Sequence, residues 1–197
     1  DSASRGLGDV YKRQPKMTFK RPDHIDEYTR GIFYKEQPYG QLWKRAWVND
    51  VDKWQFRWQE AFKIVRGIGR GHIMTGSEKW KDYTISSKIS IPLASAAGLI
   101  LRSQGLKRYY SLELTSDKKL KINKMEYELK TLKEIDFDLE FFKDYNLKLK
   151  VKGNHLQGFV DDQLMIEVED NENSFEQGMI GFITENGAIQ SESISIE

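Results

Sequence analysis

The chain has no cysteine in 197 residues, and only four prolines and three histidines. Without cysteine there are no disulfides and no thiolate metal sites, which fits a reducing, cytoplasmic compartment. His24, His72 and His155 have neither metal-ligand spacing nor an acidic partner evident in the sequence; each reads as a surface or turn histidine, and no metal is expected. The longest nearly apolar stretch, Ile91–Leu101, is too short to span a bilayer, so no membrane partner is expected. No serine sits in a nucleophile-elbow pattern. Strong charge of either sign is missing too: the formal net charge is +1. No long-range field steers this chain to nucleic acid or to an anionic membrane.

What is present is a globular composition, 39% hydrophobic and 12% aromatic. Its dominant pattern has period two. Tyr83, Ile85, Ser87, Ile89 and Ile91 alternate with Thr84, Ser86, Lys88 and Ser90. Leu147, Leu149 and Val151 alternate with lysines, Leu164, Ile166 and Val168 with Met165 and glutamates, and Ile194 and Ile196 with serines. Such runs bury one face of a strand and wet the other. Ser116-Asp117, Gly153-Asn154, Asp161-Asp162 and Asn186-Gly187 supply turn chemistry between runs. Gly98–Leu101 reads as a strand buried on both faces, and 136–144 as the longest connection. Only 49–62, through Val51, Trp54 and Trp58, offers a short helix or loop. The expected fold is all-β, a two-sheet antiparallel jelly-roll sandwich of about a dozen strands.

The N-terminus has a different character. Ser4–Gln14 reads Ser-Arg-Gly-Leu-Gly-Asp-Val-Tyr-Lys-Arg-Gln, which resembles a transposase-type sequencing adapter translated in one frame. Residues 1–14 are therefore expected to be an adapter-derived artefact of a metagenomic fragment. Setting them aside removes Arg5, Lys12 and Arg13 against Asp1 and Asp9, which leaves the charges balanced. Residues 15–41, polar and carrying Pro22 and Pro38, read as a linker or the tail of a lost upstream domain, and 42–197 as the sandwich.

Four stretches carry a family resemblance: Arg45–Asp52; Gly69-Arg70-Gly71-His72 with Gly76 and Trp80–Tyr83; Ala97–Tyr110; and Tyr145 through Gly153-Asn154, Asp161-Asp162 and Asp170 to Gly181. In these the chain is similar to concanavalin-like jelly rolls. More narrowly, it resembles the C-terminal β-sandwich module of bacterial ADP-ribosylglycohydrolases, the third stretch being the most specific. One departure is Asp162, where related modules often carry glycine. The resemblance implies a non-catalytic accessory module that binds a carbohydrate or an ADP-ribosyl group. It further implies a missing upstream hydrolase domain, helical, with acidic residues that hold magnesium. None of that constellation is present here, so no cofactor is expected in this fragment.

The candidate ligand site is the hairpin carrying Arg102, Gln104, Arg108, Tyr109 and Tyr110. Sugars stack their C–H faces on aromatic rings while planar polar groups read their hydroxyls. The strand pattern puts Arg102 with Gln104, and Arg108 with Tyr110, on shared faces. Of the tryptophans Trp43, Trp47, Trp54, Trp58 and Trp80, core packing is expected for Trp47 and Trp80. The catalytic alternative is Glu134, Asp136 and Asp138, which with Glu140 would share one face of an extended strand, the arrangement of a jelly-roll glycan hydrolase. The competing reading is a solvated acidic face over Ile135, Phe137 and Leu139. Arg66–His72 has phosphate-loop glycines but continues into the strand-like Ile73-Met74-Thr75, so a glycine-rich hairpin is expected. Asp161, Asp162 and Asp170 have oxygen ligands for calcium but read as turn aspartates. A third possibility is a structural domain that packs on its parent enzyme.

Overall fold

The computed structural model describes residues 16–20, 44, 46–55 and 62–197. Trp43, Trp58, His24 and the adapter-like segment lie outside the described residues. The described chain forms strands β1 (Met17–Lys20), β2 (Val48–Asn49), β3 (Lys53–Gln55), β4 (Phe62–Thr75), β5 (Tyr83–Leu93), β6 (Ala96–Ser103) and β7 (Arg108–Thr115). It continues as β8 (Lys119–Glu126), β9 (Glu128–Asp136), β10 (Asp144–Lys152), β11 (His155–Val160), β12 (Gln163–Glu169), β13 (Met179–Ser191) and β14 (Ser193–Ile196).

All pairings are antiparallel and make two layers joined along one ladder. The front layer runs β4-β13-β6-β7-β8-β9, with β2 and β3 on the outside of β4. The back layer runs β5-β10-β11-β12, with β14 and then β1 beyond β5. β13 connects them: its first half pairs with β6 and its second half with β5. Between the layers lies one apolar core, built from the alternating positions of both, including Leu99, Leu112, Ile122, Phe182, Ile85, Leu149 and Ile166. The layers approach closely at Gly158 of β11, where a Cβ would stand 2.6 Å from the Leu112 Cδ1 of the front layer.

The period-two reading holds in detail. Leu147, Leu149 and Val151 are buried, and the lysines between them are not. β6 is buried at every position, and 137–143 is the connection between β9 and β10. Three of the four turn dipeptides connect strands; the fourth does not. Asn186-Gly187 lies inside β13, where the register with β4 slips between Glu185 and Gly187. Three residues of β4, Gly67, Ile68 and Gly69, there face one residue of β13, Asn186, and Gly69 N–H donates to the Asn186 Oδ1 at 2.8 Å. The glycine-rich run is thus a bulge in one long strand, and the expected hairpin is absent. In the 49–62 region the described residues form β2 and β3 against β4, with no helix.

Candidate functional site

The bulge sets the register of everything after it. Beyond Gly69, the side chains of Arg70, His72 and Met74 stand on the outer face of the front layer, while Ile73 packs into the core. Three cross-strand rows define that face. The first is Arg70-Glu185-Ala96-Thr115-Lys119-Asp136, the second His72-Ile183-Gly98-Glu113-Lys121-Glu134, and the third Met74-Gly181-Ile100-Ser111-Asn123-Thr131. Bulges commonly re-aim side chains in this way next to sites.

An outer sheet face normally meets water. This one does not in its centre, where Ile100 and Ile183 are fully buried and pack with Tyr109 and Met125 as a second, smaller core. β4 and β7 are three strand spacings apart, roughly 14 Å, yet their side chains meet. Arg70 ion-pairs with Glu113, and the His72 ring stands edge-on to Tyr109 with centroids 5.2 Å apart. The face is therefore a trough. Gly98 and Gly181 leave its floor low, and polar side chains from both flanks close over it.

The closing layer is charged and incompletely bonded. The Glu113 side chain, 1% exposed, accepts from Arg70 Nη2 and Ser111 Oγ. Arg70 Nη1 donates to the Glu185 Oε2 at 2.7 Å. Burial works against the guanidinium's charge, but Glu113, Tyr109 and Glu185 outweigh it and hold the Arg70 pKa above its usual value. His72 Nε2–H donates to the Leu106 carbonyl at 3.0 Å, which leaves Nδ1 as a bare acceptor. Burial lowers the His72 pKa, so the ring is neutral at pH 7. The Tyr109 hydroxyl is pushed up to about 12, chiefly by burial.

Among the described residues, four buried side-chain polar atoms have no hydrogen-bond partner. Three belong to this layer: Arg70 Nε, His72 Nδ1 and the Tyr109 hydroxyl. The fourth, Thr184 Oγ1, is on the core side of β13. A buried polar group without a partner costs about 1–3 kcal/mol, and native structures hold few of them. A donor, an acceptor and a hydroxyl that can be either thus lie beside a largely buried ion-pair cluster, whose side chains are 1% to 28% exposed. The rim adds apolar surface: Leu106, Leu129 and Tyr127 are exposed, and Tyr127 N–H donates to the Lys107 carbonyl at 2.8 Å.

The five hairpin residues do not form one surface. Arg102 is 2% exposed and lies inside the end of the sandwich, bonded to the Lys81, Gly153 and Phe175 carbonyls and the Asp82 carboxylate. Its φ of 48° breaks the alternation that would have put it with Gln104. Tyr110 is also interior; its hydroxyl donates to the Asp170 Oδ2 and accepts from Phe175 N–H. Gln104 and Arg108 are nearer the surface and bonded to each other, with Arg108 also pairing with Glu126 and lying over the Phe175 ring. Only Tyr109 joins the outer-face cluster.

Glu134 and Asp136 do share the outer face, at the far edge of the trough. Asp138 and Glu140 lie past the end of β9, so the four carboxylates do not line one strand. Each is exposed and paired with a lysine: Glu134 with Lys121, Asp136 with Lys119, Asp138 with Lys118 and Glu140 with Lys143. Lys118 lowers the Asp138 pKa, the opposite of what a general acid needs. Ile135, Phe137 and Leu139 pack against the core beneath. Asp161 and Asp162 occupy the β11–β12 turn, both at positive φ. Asp170 is buried and ion-paired to Lys124 at 2.8 Å. His155 is a half-exposed surface residue facing Glu167, but His72 is interior, contrary to expectation. Trp47 is core, and Trp54 and Trp80 pack against it.

Sequence reasoning missed Arg70, His72, Glu113 and Glu185. The one signal for Glu113 is its place in Tyr109-Ser111-Glu113, the polar phase of a run whose other phase is Tyr110, Leu112 and Leu114.

No family model matches the chain, and no curated protein matches it. Solved structures do. A carbohydrate-binding module, CBM66 of Bacillus subtilis, superposes with a TM-score of 0.68 at 20% identity over 77% of this chain and 95% of that one. A Bacillus subtilis protein of unknown function with a galectin-like fold gives 0.60 at 9% identity, over 80% and 91%. The Caenorhabditis elegans galectin LEC-6 gives 0.50 at 12%, over 78% and 96%. The chain is an all-β antiparallel jelly-roll sandwich with the fold of a carbohydrate-binding module.

Proposed function

We propose that this chain is a non-catalytic carbohydrate-binding module, and that its ligand seats on the outer face of the front layer over Arg70, His72, Glu113 and Tyr109. The observation that carries the reading is the convergence of Arg70 Nε, His72 Nδ1 and the Tyr109 hydroxyl without partners. Sugar hydroxyls both donate and accept, so one ring with adjacent hydroxyls satisfies such a set when the side chains that shut these atoms off from solvent move aside, directly or through one bridging water. Tyr127, exposed at the rim, offers a ring for the apolar face of a sugar. The fold shared with a carbohydrate-binding module supports the ligand class. The stretch Ala97–Tyr110, with its likeness to ADP-ribosylglycohydrolase modules, supports an accessory role within a larger hydrolase.

Glycan-array binding followed by calorimetry tests this. Tyr109→Phe removes a buried hydroxyl whose one polar neighbour is the Arg70 guanidinium, with no well-formed hydrogen bond between them. It should leave the melting temperature unchanged or raised while weakening the bound glycan about fivefold to tenfold, the worth of one hydrogen bond. Arg70→Ala should abolish binding. Binding unaffected by both variants would place the site elsewhere.

A further inference from the structure

We infer that the outer-face site selects uncharged saccharides and turns away anionic ones, ADP-ribosyl groups included, through the carboxylates of Glu113 and Glu185. This rests on the binding reading above and narrows it. Arginine in a sugar site ordinarily invites a carboxylate or phosphate, because its planar fork binds them in bidentate fashion. Here the fork is taken. Nη2 is committed to the buried Glu113 and Nη1 to Glu185. Of the guanidinium nitrogens only Nε has no partner, and it is buried beside the two carboxylates that hold the other two.

The rest of the face repeats the pattern. Lys119 pairs with Asp136 at 2.7 Å, and Lys121 pairs with Asp117 at 3.0 Å and Glu134 at 3.6 Å. Every cation in the three cross-strand rows therefore already has a carboxylate. An entering anion would have to displace one of them or sit against it. Lys107 stands near enough to His72 to help lower its pKa, but it is exposed, so water and salt screen it. His72 adds no positive charge, since its free atom is a bare acceptor that would itself repel a phosphate oxygen. Asp50 strengthens the exclusion, with Oδ2 3.9 Å from that same Nδ1. A neutral hydroxyl carries no charge for these carboxylates to repel, and once the covering side chains part it can donate to Nδ1 and accept from Nε.

Glu185 is the more accessible of the two carboxylates, with its side chain 28% exposed against 1% for Glu113. Glu185→Gln is the substitution that should change charge preference without removing a buried ion pair. The experiment uses an array in which each neutral oligosaccharide is matched with a uronate-bearing or sulfated counterpart, together with ADP-ribose by calorimetry. The expected result is binding confined to neutral probes, with charged counterparts at least tenfold weaker and ADP-ribose silent. Glu185→Gln should narrow that ratio about threefold to tenfold by strengthening the anionic probes, and less at 0.5 M salt. Anionic probes that bind as well as neutral ones, with binding lost in Arg70→Ala, would overturn the selectivity and leave the site standing. A ratio unmoved by Glu185→Gln would also overturn it. An array with no bound glycan, or with binding indifferent to Arg70→Ala, would overturn both.

Discussion

Replacing Arg102 by alanine should weaken the fold far more than any contact with a ligand. The side chain is 2% exposed and ties together three segments that are distant in sequence. Nε donates to the Lys81 carbonyl at 2.9 Å, and Nη1 to the Gly153 and Phe175 carbonyls at 2.6 and 2.5 Å. Nη2 pairs with Asp82 at 2.9 Å, and the same Asp82 oxygen accepts from Gly153 N–H. Alanine leaves three carbonyls without donors. Asp82 is about half-exposed and regains water, and the turn at Gly153 can do so in part. The Phe175 carbonyl is interior and cannot. Breaking a buried, charge-assisted set of this kind costs about 3–5 kcal/mol, a large share of the 5–15 kcal/mol that typically holds a domain. With a urea dependence of about 2 kcal/mol/M, the midpoint should fall by about 2 M. Arg102→Lys should recover little, because one ammonium cannot reach three carbonyls in a planar fan. Arg108→Ala serves as the comparison. That side chain is one-third exposed and pairs with Glu126, so its loss should cost about 1 kcal/mol including its place over Phe175. Equal midpoints for Arg102→Ala and Arg108→Ala in urea titrations would refute the structural role assigned to Arg102.

Two further effects follow from buried titratable groups. His72 is buried neutral with its pKa lowered, chiefly by desolvation, so the unfolded state binds the proton more readily. Its contribution should be complete above the unfolded value of about 6.5 and lost as the pH falls below it. Urea midpoints at pH 7.5 and 5.5 should differ more for the native chain than for His72→Gln, and equal differences would contradict the assignment. Burial would raise the Asp170 pKa, but hydrogen bonds from Lys124, Tyr110 and Glu172 N–H reverse this and lower it. Its stabilising effect should hold above the unfolded carboxyl value of about 3.9 and disappear as the pH falls through the lowered one. Asp170→Asn should flatten acid unfolding between about pH 4 and pH 2, and a profile as steep as that of the native chain would count against the pairing.

The layers were legible because burial of one strand face forces a period of two, and Leu147, Leu149 and Val151 obey it without exception. The catalytic alternative was also readable as weak, since four acids at alternate positions of a strand end are what a wet edge looks like. The site was not legible, for a physical reason. On the outer face, alternation says polar, and polar ordinarily means solvated. Nothing local distinguishes Glu113, which is 1% exposed, from Glu134, which is half-exposed one strand pair away. The difference arises from curvature that brings β4 over β7, a property of the whole sheet. The bulge at 66–70 was misread for a related cause: glycines announce departure from a regular strand, but whether the chain turns back or carries on depends on the partner strand. Here Asn186 receives the Gly69 N–H and the strand continues. Arg102 was misplaced by a single residue at positive φ, which moves one side chain off the face that its neighbours predict.

The same curvature poses a choice between two roles for the layer over Ile100 and Ile183. If its only role were to cover them, apolar side chains would serve better, because buried ion pairs are often matched or exceeded in stability by hydrophobic groups of similar volume. The buried ion pair elsewhere, Lys124 with Asp170, fits a purely structural role: Lys124 also donates to the Glu172 and Asn173 carbonyls, and Asp170 also accepts from Tyr110. The outer-face layer lacks that completeness. Arg70, His72 and Tyr109 each keep one polar atom unsatisfied, although the first two lie on one strand and the third on another three spacings away. Three such lapses in one spot would together cost several kcal/mol, even though Arg70 and the Tyr109 hydroxyl partly compensate each other, and they fall on a face whose floor is kept low by two glycines. A ligand that satisfies them recovers that energy on binding, which is why Tyr109→Phe separates the two roles: a covering layer loses nothing with the hydroxyl, and a binding layer loses affinity.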